Sequence, residues 1–282
     1  MTVLDHRRFL AQDYALINPL QVPLDQRRDL PTIRLSPQGL ERHGRMMPLL
    51  LRLNALPETQ RLELMERSDY LGLHYDMPLF AALLECKADI PILKAHLLSR
   101  MIVKRRTGPS AWLRFHDPRV YRHLRWLLST DQMTGLMGPI EHWTWYEPLM
   151  AQWHTQRRPD GNGLRNLFVA DDLWMRLERL EDLNVALRNL ANDDTPTDDD
   201  TAQRLLDGLL DARQRGLTQT EDVLLYARQY LQHGPDWHGN EVAKRCIRQA
   251  VERRSSYISA WAEFAGHGQL QDHATIGIQE GD

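Results

Sequence analysis

Two kinds of apolar pattern follow one another along the chain, and they predict two lobes of different structure. In the first half, short apolar runs alternate with segments of helical spacing. Residues 14–19 and 46–53 predict strands, and residues 57–70 predict a helix that begins with Pro57 and Glu58. Strands that alternate with helices are typical of an α/β lobe, and we expect part of its sheet to be antiparallel.

The middle of this first half contains one ambiguous apolar run and one predicted hairpin. Residues 79–86 (LFAALLEC) are compact and apolar, and periodicity alone does not distinguish a strand from a helix there. Asp89 and Pro91 then predict a helix start. Residues 101–106 and 111–115 flank a Thr-Gly-Pro-Ser segment, which is a plausible hairpin turn. The segment 21–39 is rich in proline and charge, and we expect an irregular connection.

Residues 114–145 (RFHDPRVYRHLRWLLSTDQMTGLMGPIEHWTW) carry the clearest local signals. Asp117 stands before Pro118, which predicts a helix with an acidic N-cap and proline at its first position. Ser129 and Thr130 end that helix and can cap a short second one. Gly138-Pro139 then breaks the chain before an aromatic strand at residues 142–146.

The second half lacks a convincing strand and predicts helices throughout. Residues 157–166 (RRPDGNGLRN) are the best linker, and helices are expected at 171–190, 201–215 and 240–261. Thr218-x-x-Glu221 is a capping-box pattern that predicts one more helix. Residues 192–200 predict an acidic loop, and residues from about 266 a disordered tail.

These patterns together predict an α+β protein. Residues 1–158 would form an N-terminal α/β lobe with a mixed sheet, and residues 159–282 an all-helical C-terminal lobe.

Composition narrows the class of protein. The chain has 282 residues, a hydrophobic fraction of 42% and a formal net charge of −3, so it can bury a core and is not drawn as a whole to nucleic acid or anionic membranes. No apolar run approaches a membrane span, and the first residues lack the apolar region of a signal peptide. Cys86 and Cys246 are expected to be buried thiols in a reducing cytoplasm.

Catalytic and metal-binding patterns are weak. The chain contains no Gly-x-Ser-x-Gly elbow, no phosphate loop and no His-Glu-x-x-His pair. Asp117 and Arg119 could act in catalysis, but an Asp-Pro helix start, with Arg114 paired to Asp117 or to a neighbouring carboxylate, explains the same residue types. The histidines near residue 116 and near residue 238 have no recognised ligand spacing, so we expect no metal and no cofactor.

Charge is unevenly distributed along the chain. Between Arg100 and Arg125, eight basic residues accompany a single acidic one, Asp117, whereas residues 171–200 contain ten acidic residues and three arginines. These segments could be solvated faces or lobes that attract each other, or they could steer an oppositely charged partner.

The leucine and aromatic residues could each belong either to the core or to an interface with a partner. Leucines recur between residues 173 and 190, and they could form a helical core or a groove for a partner's apolar helix. The aromatic residues Trp143, Trp145, Tyr146 and Trp153 could likewise anchor a partner or fill the core. The candidate partner-binding residues are Leu177, Leu180, Leu187, Asp198, Asp199 and Asp200.

The stretch from residue 114 onward resembles the DUF4123 family, whose members are adaptor chaperones for effectors of the bacterial type VI secretion system. The matching residues are Arg114, Phe115, Asp117, Pro118, Arg119, Val120, Gly138, Pro139 and Trp143. The resemblance covers roughly residues 13–146, and His116 stands where the family usually has an aromatic residue. It implies that residues 79–86 form a strand.

The resemblance implies a non-enzymatic, cytoplasmic adaptor. It would bind one secreted effector, keep it soluble and help to load it onto the spike complex, so its partners would be the effector and a spike-tip protein. Nucleic-acid binding and membrane insertion are not expected. The alternatives are an immunity-type effector-binding protein, or an enzyme of unknown chemistry centred on His116, Asp117 and Arg119.

Overall fold

A computed structural model of the chain describes residues 4–75, 77–105, 108, 110–163, 168–193 and 195–274. The chain divides into two compact units, Met1–Trp174 and Met175–Asp282. The division predicted from the sequence lies after residue 158. The segment beyond residue 158 joins the first unit because it contributes a short strand to one of that unit's sheets.

The first unit contains both helices and strands. In chain order they are α1 (His6–Leu10), β1 (Tyr14–Ile17), β2 (Thr32–Arg34), β3 (Leu49–Arg52), α2 (Glu58–Tyr75), β4 (Ala82–Glu85), α3 (Ile90–Arg100), β5 (Ile102–Arg105), β6 (Ser110–Trp112), α4 (Pro118–Leu127), α5 (Thr130–Met137), β7 (His142–Glu147), β8 (Gln152–Arg157) and β9 (Phe168–Val169). Helix α6 (Asp171–Glu178) spans the division between the units.

The fold is α+β, as predicted, and its main sheet has six strands in the order β2-β3-β1-β4-β7-β8. Every neighbouring pair in this sheet is antiparallel, so the prediction of a mixed sheet is wrong for it. The reason is that β1 lies between β3 and β4, which separates the two strands that α2 connects. A second sheet, β6-β5-β9, is mixed, because β9 runs parallel to β5.

Three strands were not predicted. Strand β2 lies within the segment expected to be irregular, β8 directly follows the aromatic strand, and β9 follows the predicted linker. Strands β2 and β8 are the two edges of the main sheet, and neither carries the apolar run that marks a buried strand. The predicted hairpin of β5 and β6 is present, although turn positions 106, 107 and 109 lie outside the described residues.

One face of the main sheet packs against α1 and α2. Phe9 of α1 stacks on Phe80 with ring centroids 5.7 Å apart, and Leu64, Met65 and Leu71 supply the buried side of α2. The strands contribute alternate apolar residues to the same cluster, and Trp153 of β8 packs at its margin. This burial of apolar surface is the main stabilising contribution to the unit.

The second unit is helical in its described residues. It contains α7 (Leu180–Asn192), α8 (Asp199–Gln214), α9 (Thr220–His233), α10 (Glu241–Val251) and α11 (Tyr257–Ala274). Inside it, Tyr257 donates to Gln229 Oε1 at 2.6 Å and accepts from the Trp237 indole at 3.2 Å. Burial raises the pKa of Tyr257 well above its ordinary value.

Several helix boundaries differ from the prediction. The helix expected at 171–190 breaks at Arg179, and the one expected at 240–261 ends at Val251, shortly before Arg253 turns the chain with a φ of 57°. The capping box at Thr218 is also wrong, because Gln219 is the N-cap of α9 and makes no side-chain cap bond.

Helix α11 continues to Ala274, into the segment that the sequence predicts as a tail. The remaining positions of the predicted tail lie outside the described residues. Both cysteines are free thiols and buried, as predicted. No helix in the described ranges is both long and apolar enough to cross a membrane.

Candidate functional site

Asp117 lies at the centre of the Arg-Phe-His-Asp-Pro-Arg motif, and its carboxylate holds the start of α4. It accepts the backbone N–H of Arg119 at 3.1 Å, as the predicted N-cap should. The Arg119 guanidinium donates twice more, at 3.0 and 2.8 Å, and Arg114 donates at 2.9 Å. The predicted N-cap and the predicted pair with Arg114 are both confirmed.

The electrostatics of Asp117 and His116 favour a structural role for both. Burial alone would raise the pKa of Asp117, but the hydrogen bond from Arg119 and the two guanidinium charges outweigh it and hold that pKa below the ordinary value. Burial lowers the pKa of His116 to about 4, so its ring is neutral near neutral pH. His116 stacks on Trp112 with ring centroids 6.0 Å apart.

The aromatic residues of the motif form an internal layer. Trp143 is buried and lies parallel to Tyr121 with ring centroids 4.6 Å apart, while Phe115 meets it edge-on at 5.9 Å. Trp145 and Tyr146 are also buried. The aromatic strand therefore fills the core under α4 and does not present an open anchor for a partner.

Most of the basic stretch is engaged inside the first unit. Arg122 forms a buried ion pair with Glu147, with Nη1 and Oε1 2.7 Å apart. Arg105 pairs with Asp171 at 2.7 Å, and Arg125 lies 5.1 Å from the ring centroid of Trp145. These contacts favour the interpretation that the stretch stabilises its own unit.

Gly138, which precedes Pro139, is required by close packing against α3. Its φ is 54°, and a Cβ atom there would lie 2.1 Å from Cε1 of His96. The His96 ring is fixed by a 2.9 Å hydrogen bond between Nε2 and the Leu136 carbonyl. The Gly-Pro step thus lets the chain pass His96 on its way into β7.

A polar cleft of about 480 Å³ adjoins this contact and is bordered by the loop 158–163. The loop is tied to α5, because Thr134 donates to the Pro159 carbonyl at 2.9 Å and Asn162 N–H donates to Asp131 at 3.0 Å. Arg158 of the loop also donates to the Gly138 carbonyl. We interpret the cleft as space left where this loop packs against α5, and we assign no ligand to it.

One group of side chains among the described residues has metal-ligand types close together. Atoms of Glu85, Glu141 and His142 lie within 4.8 Å of one another. Glu85 and His142 are cross-strand partners, and His142 Nδ1 lies 2.9 Å from Glu85 Oε2. That cross-strand pairing accounts for their proximity, so we assign no metal to the group.

The structure corrects the predicted partner-binding leucines of the helical unit. Leu180 and Leu187 are buried in α7, so they are core residues and do not line an open surface. Leu177 of α6 is half-buried. The physical reason is that the same leucine spacing faces the interior when neighbouring helices cover it.

The predicted acidic residues belong to the first turn of α8. Asp198 is its N-cap and accepts the Thr201 N–H at 2.9 Å, and Asp199 and Asp200 follow in the first turn. These three acidic side chains therefore stabilise the N-terminus of α8 whether or not they also bind a partner.

An apolar groove that the sequence analysis did not identify lies between α7 and α9. Ala186, Asn189 and Leu190 border it on α7, and Leu205 of α8 also lines it. On α9 its wall consists of Glu221, Leu224, Leu225 and Arg228. The groove has a volume of about 260 Å³. The spacing of the α9 residues could have indicated this face, because positions i, i+3, i+4 and i+7 share one side of a helix.

A second exposed apolar surface is the C-terminal end of α2. Tyr70, Leu73 and Tyr75 are 55%, 65% and 57% exposed, and Met77 follows them. The Tyr70 ring contacts His74 with centroids 4.4 Å apart. Clusters of this kind mark interaction surfaces more often than scattered exposed residues do.

Comparison with known proteins gives one match. The model of the family described as "Domain of unknown function (DUF4123)" matches residues 15–134. The matched segment begins in β1 and ends in α5, so it includes the Asp117 motif. The resemblance to this family is therefore confirmed over that segment. No curated protein and no solved structure matches the chain.

Proposed function

We propose, from the match of residues 15–134 to the DUF4123 family, that the chain is an adaptor chaperone for a type VI secretion effector. In this proposal it binds the effector in the cytoplasm, keeps it soluble and promotes its loading onto the spike complex. The family match carries the proposal, because the adaptor role is what the resemblance implies. A spike-tip protein would be the second partner.

The contacts of the motif argue against catalysis at Asp117 and His116. Asp117 is occupied by a backbone N–H and two guanidinium groups, and His116 is buried with a depressed pKa. A general base needs access to substrate and a pKa near the working pH, and neither residue has both. The motif is thus explained by what it does for the fold.

Exposed apolar surface is what an adaptor requires, and two such surfaces among the described residues are candidates. The α7–α9 groove lies in the helical unit, and the α2 surface lies in the matched segment. Burial of effector apolar surface at such a place would supply affinity, and charged residues at the rim would select the partner. We place client recognition in the helical unit, outside the family's signature.

Co-expression tests the adaptor role directly. The gene for each candidate effector of the same cell would be expressed with and without this chain, and soluble effector and co-purified complex would be measured. We expect one effector to require the chain for solubility and to co-purify with it. Solubility of every effector without the chain, together with no complex, would contradict the proposal.

The same cells distinguish the immunity-type alternative. An adaptor can be removed without harming the cell, since it serves export only. An immunity protein cannot, because its loss exposes the cell to the effector's toxicity. Growth of a deletion strain at the wild-type rate supports the adaptor, and effector-dependent killing of that strain supports the alternative.

A further inference from the structure

We infer that the groove between α7 and α9 binds an amphipathic helix of the partner protein, with apolar side chains on its buried face and lysine or arginine at its edges. The inference rests on the proposed function for the identity of the partner, the effector. The groove itself can be tested without that identity.

The shape of the groove indicates a helix as its occupant. Its walls are faces of two helices, with Ala186, Asn189 and Leu190 at positions i, i+3 and i+4 of α7. The α9 wall, from Glu221 to Arg228, spans about 10 Å at 1.5 Å per residue, or two helical turns. Side chains at this spacing form ridges between which a third helix can pack.

The apolar part of the groove is partly open to solvent. Leu224 and Leu225 of α9 are half-buried, while Leu190 and Leu205 are buried beside them. A volume of about 260 Å³ has room for a few side chains and not for a whole helix. A partner helix would therefore lie along the groove and insert its apolar side chains between the two walls.

Charge at one end of the groove favours a basic partner. Asp193 follows α7 and pairs with Arg228 at 2.9 Å, which offsets the positive charge that Arg228 brings to the groove wall. The chain then turns back against α7, because Thr195 N–H donates to the Leu190 carbonyl at 3.0 Å. Asp198 caps the N-terminus of α8, the helix whose Leu205 lines the groove, and Asp199 and Asp200 follow it in the first turn.

Charge at the other end has the same sign. Glu221 is exposed at the first turn of α9 and lines the groove. Residues 175–282 contain 19 acidic and 12 basic residues, a net charge of −7 for the unit. Acidic residues near both ends, on a unit of negative charge, select a helix with basic edges and disfavour the acidic unit of a second copy.

Two synthetic peptides of about 18 residues, or five turns, provide the probes. One is an amphipathic helix of leucine and lysine, and the other has glutamate in place of every lysine. Binding of each labelled peptide to the purified full-length chain would be followed by fluorescence anisotropy. We expect the lysine peptide to bind and the glutamate peptide to bind at least about tenfold more weakly.

Two variants with matched controls locate the binding. Leu224→Glu places a charge in the groove, and Leu73→Glu makes the same change on the exposed α2 surface. Glu221→Lys reverses the rim charge, and Glu66→Lys makes the same reversal on an exposed position of α2. We expect each groove variant to lower the affinity for the lysine peptide by about fivefold or more. Each control variant should lower it by less than about twofold.

The outcomes separate the possible occupants. Unchanged affinity in both groove variants overturns the inference, as does equal binding of the two peptides. If Leu73→Glu instead abolishes binding of the lysine peptide, the peptide-binding site lies on α2. A dimer of the wild-type chain that Leu224→Glu dissociates, measured by light scattering, would show that a second copy occupies the groove and would also overturn it.

The effector extends the test to the natural partner. If the proposed function holds, Leu224→Glu should fail to co-purify with the effector while Leu73→Glu succeeds. If no effector depends on the chain but the lysine peptide binds in the groove, the groove is right and the proposed function is wrong. Full effector binding by Leu224→Glu would contradict the assignment of the groove as the binding site but would leave the proposed function standing.

Discussion

Replacing Asp117 by alanine should destabilise the first unit, and the structure gives the size of the effect. The variant loses the N-cap of α4, which costs about 0.5–2 kcal/mol. It also loses the side-chain hydrogen bonds from Arg114 and Arg119. Because those two side chains are 35% and 40% exposed, each pairing is worth only about 0.2–1 kcal/mol. The total loss is roughly 1–4 kcal/mol.

Asp117→Asn separates the cap from the charge. Asparagine caps a helix about as well as aspartate, so this variant keeps the bond to the Arg119 N–H and loses mainly the ion pairs. It should therefore be destabilised less than the alanine variant. Asp198→Ala is the matched control for a cap without arginine partners, because Asp198 caps α8 from an exposed position.

Thermal unfolding of the full-length variants measures the difference. For a unit of this size, each 1 kcal/mol lowers Tm by about 2–4 °C, so Asp117→Ala should unfold roughly 2–16 °C below the wild type. The expected order of Tm is wild type, Asp117→Asn, Asp117→Ala. An Asp117→Ala variant with the wild-type Tm and no effector binding would refute the structural role and assign Asp117 to function.

Four further predictions follow from three buried or strained positions. His116 has a pKa of about 4 in the folded chain and 6.5 in the unfolded chain. Between these pH values the unfolded chain binds one more proton than the folded chain does. The contribution of His116 to the free energy of unfolding is therefore fully present above pH 6.5 and falls by roughly 2 kcal/mol at pH 5. The midpoints of urea unfolding at pH 7.5 and pH 5 should differ less in His116→Phe than in the wild type, and an equal difference would contradict this. His116→Ala should still support export, measured as effector in the medium. Gly138→Ala should lower Tm by more than Gly39→Ala, because both have positive φ but only the first meets the His96 ring; equal losses would refute the packing argument. Glu147→Gln leaves a buried guanidinium without its carboxylate and should cost about 3–5 kcal/mol in urea unfolding, while a loss below about 1 kcal/mol would contradict a buried pair.

Local chemistry explains why the centre of the first unit could be predicted. The N-cap at Asp117 and the capping box of Ser129 with Gln132 depend on residues within a few positions of one another. Strand β4 is also where the family resemblance placed it. The edge strands β2 and β8 could not be predicted, since their backbone pairing comes from distant strands and their own residues are mostly polar.

The binding surface was harder to predict than the fold because exposure is a tertiary property. Leu180 and Leu187 belong to the apolar face of α7, and Leu224 and Leu225 to that of α9, yet the first two are buried and the second two remain half-exposed. Sequence periodicity shows that a helix has an apolar face but does not show which part of that face its neighbours leave open. The groove is visible only once α7, α8 and α9 are placed together.

The adaptor role is the central claim, and comparison of secreted proteins tests it most directly. Culture medium from the wild type, a deletion strain and a strain complemented with the full-length chain would be analysed by quantitative mass spectrometry. The account predicts that deletion removes one effector from the medium, that complementation restores it, and that other secreted components of the apparatus are unchanged. An unchanged set of secreted effectors in the deletion strain would contradict the account.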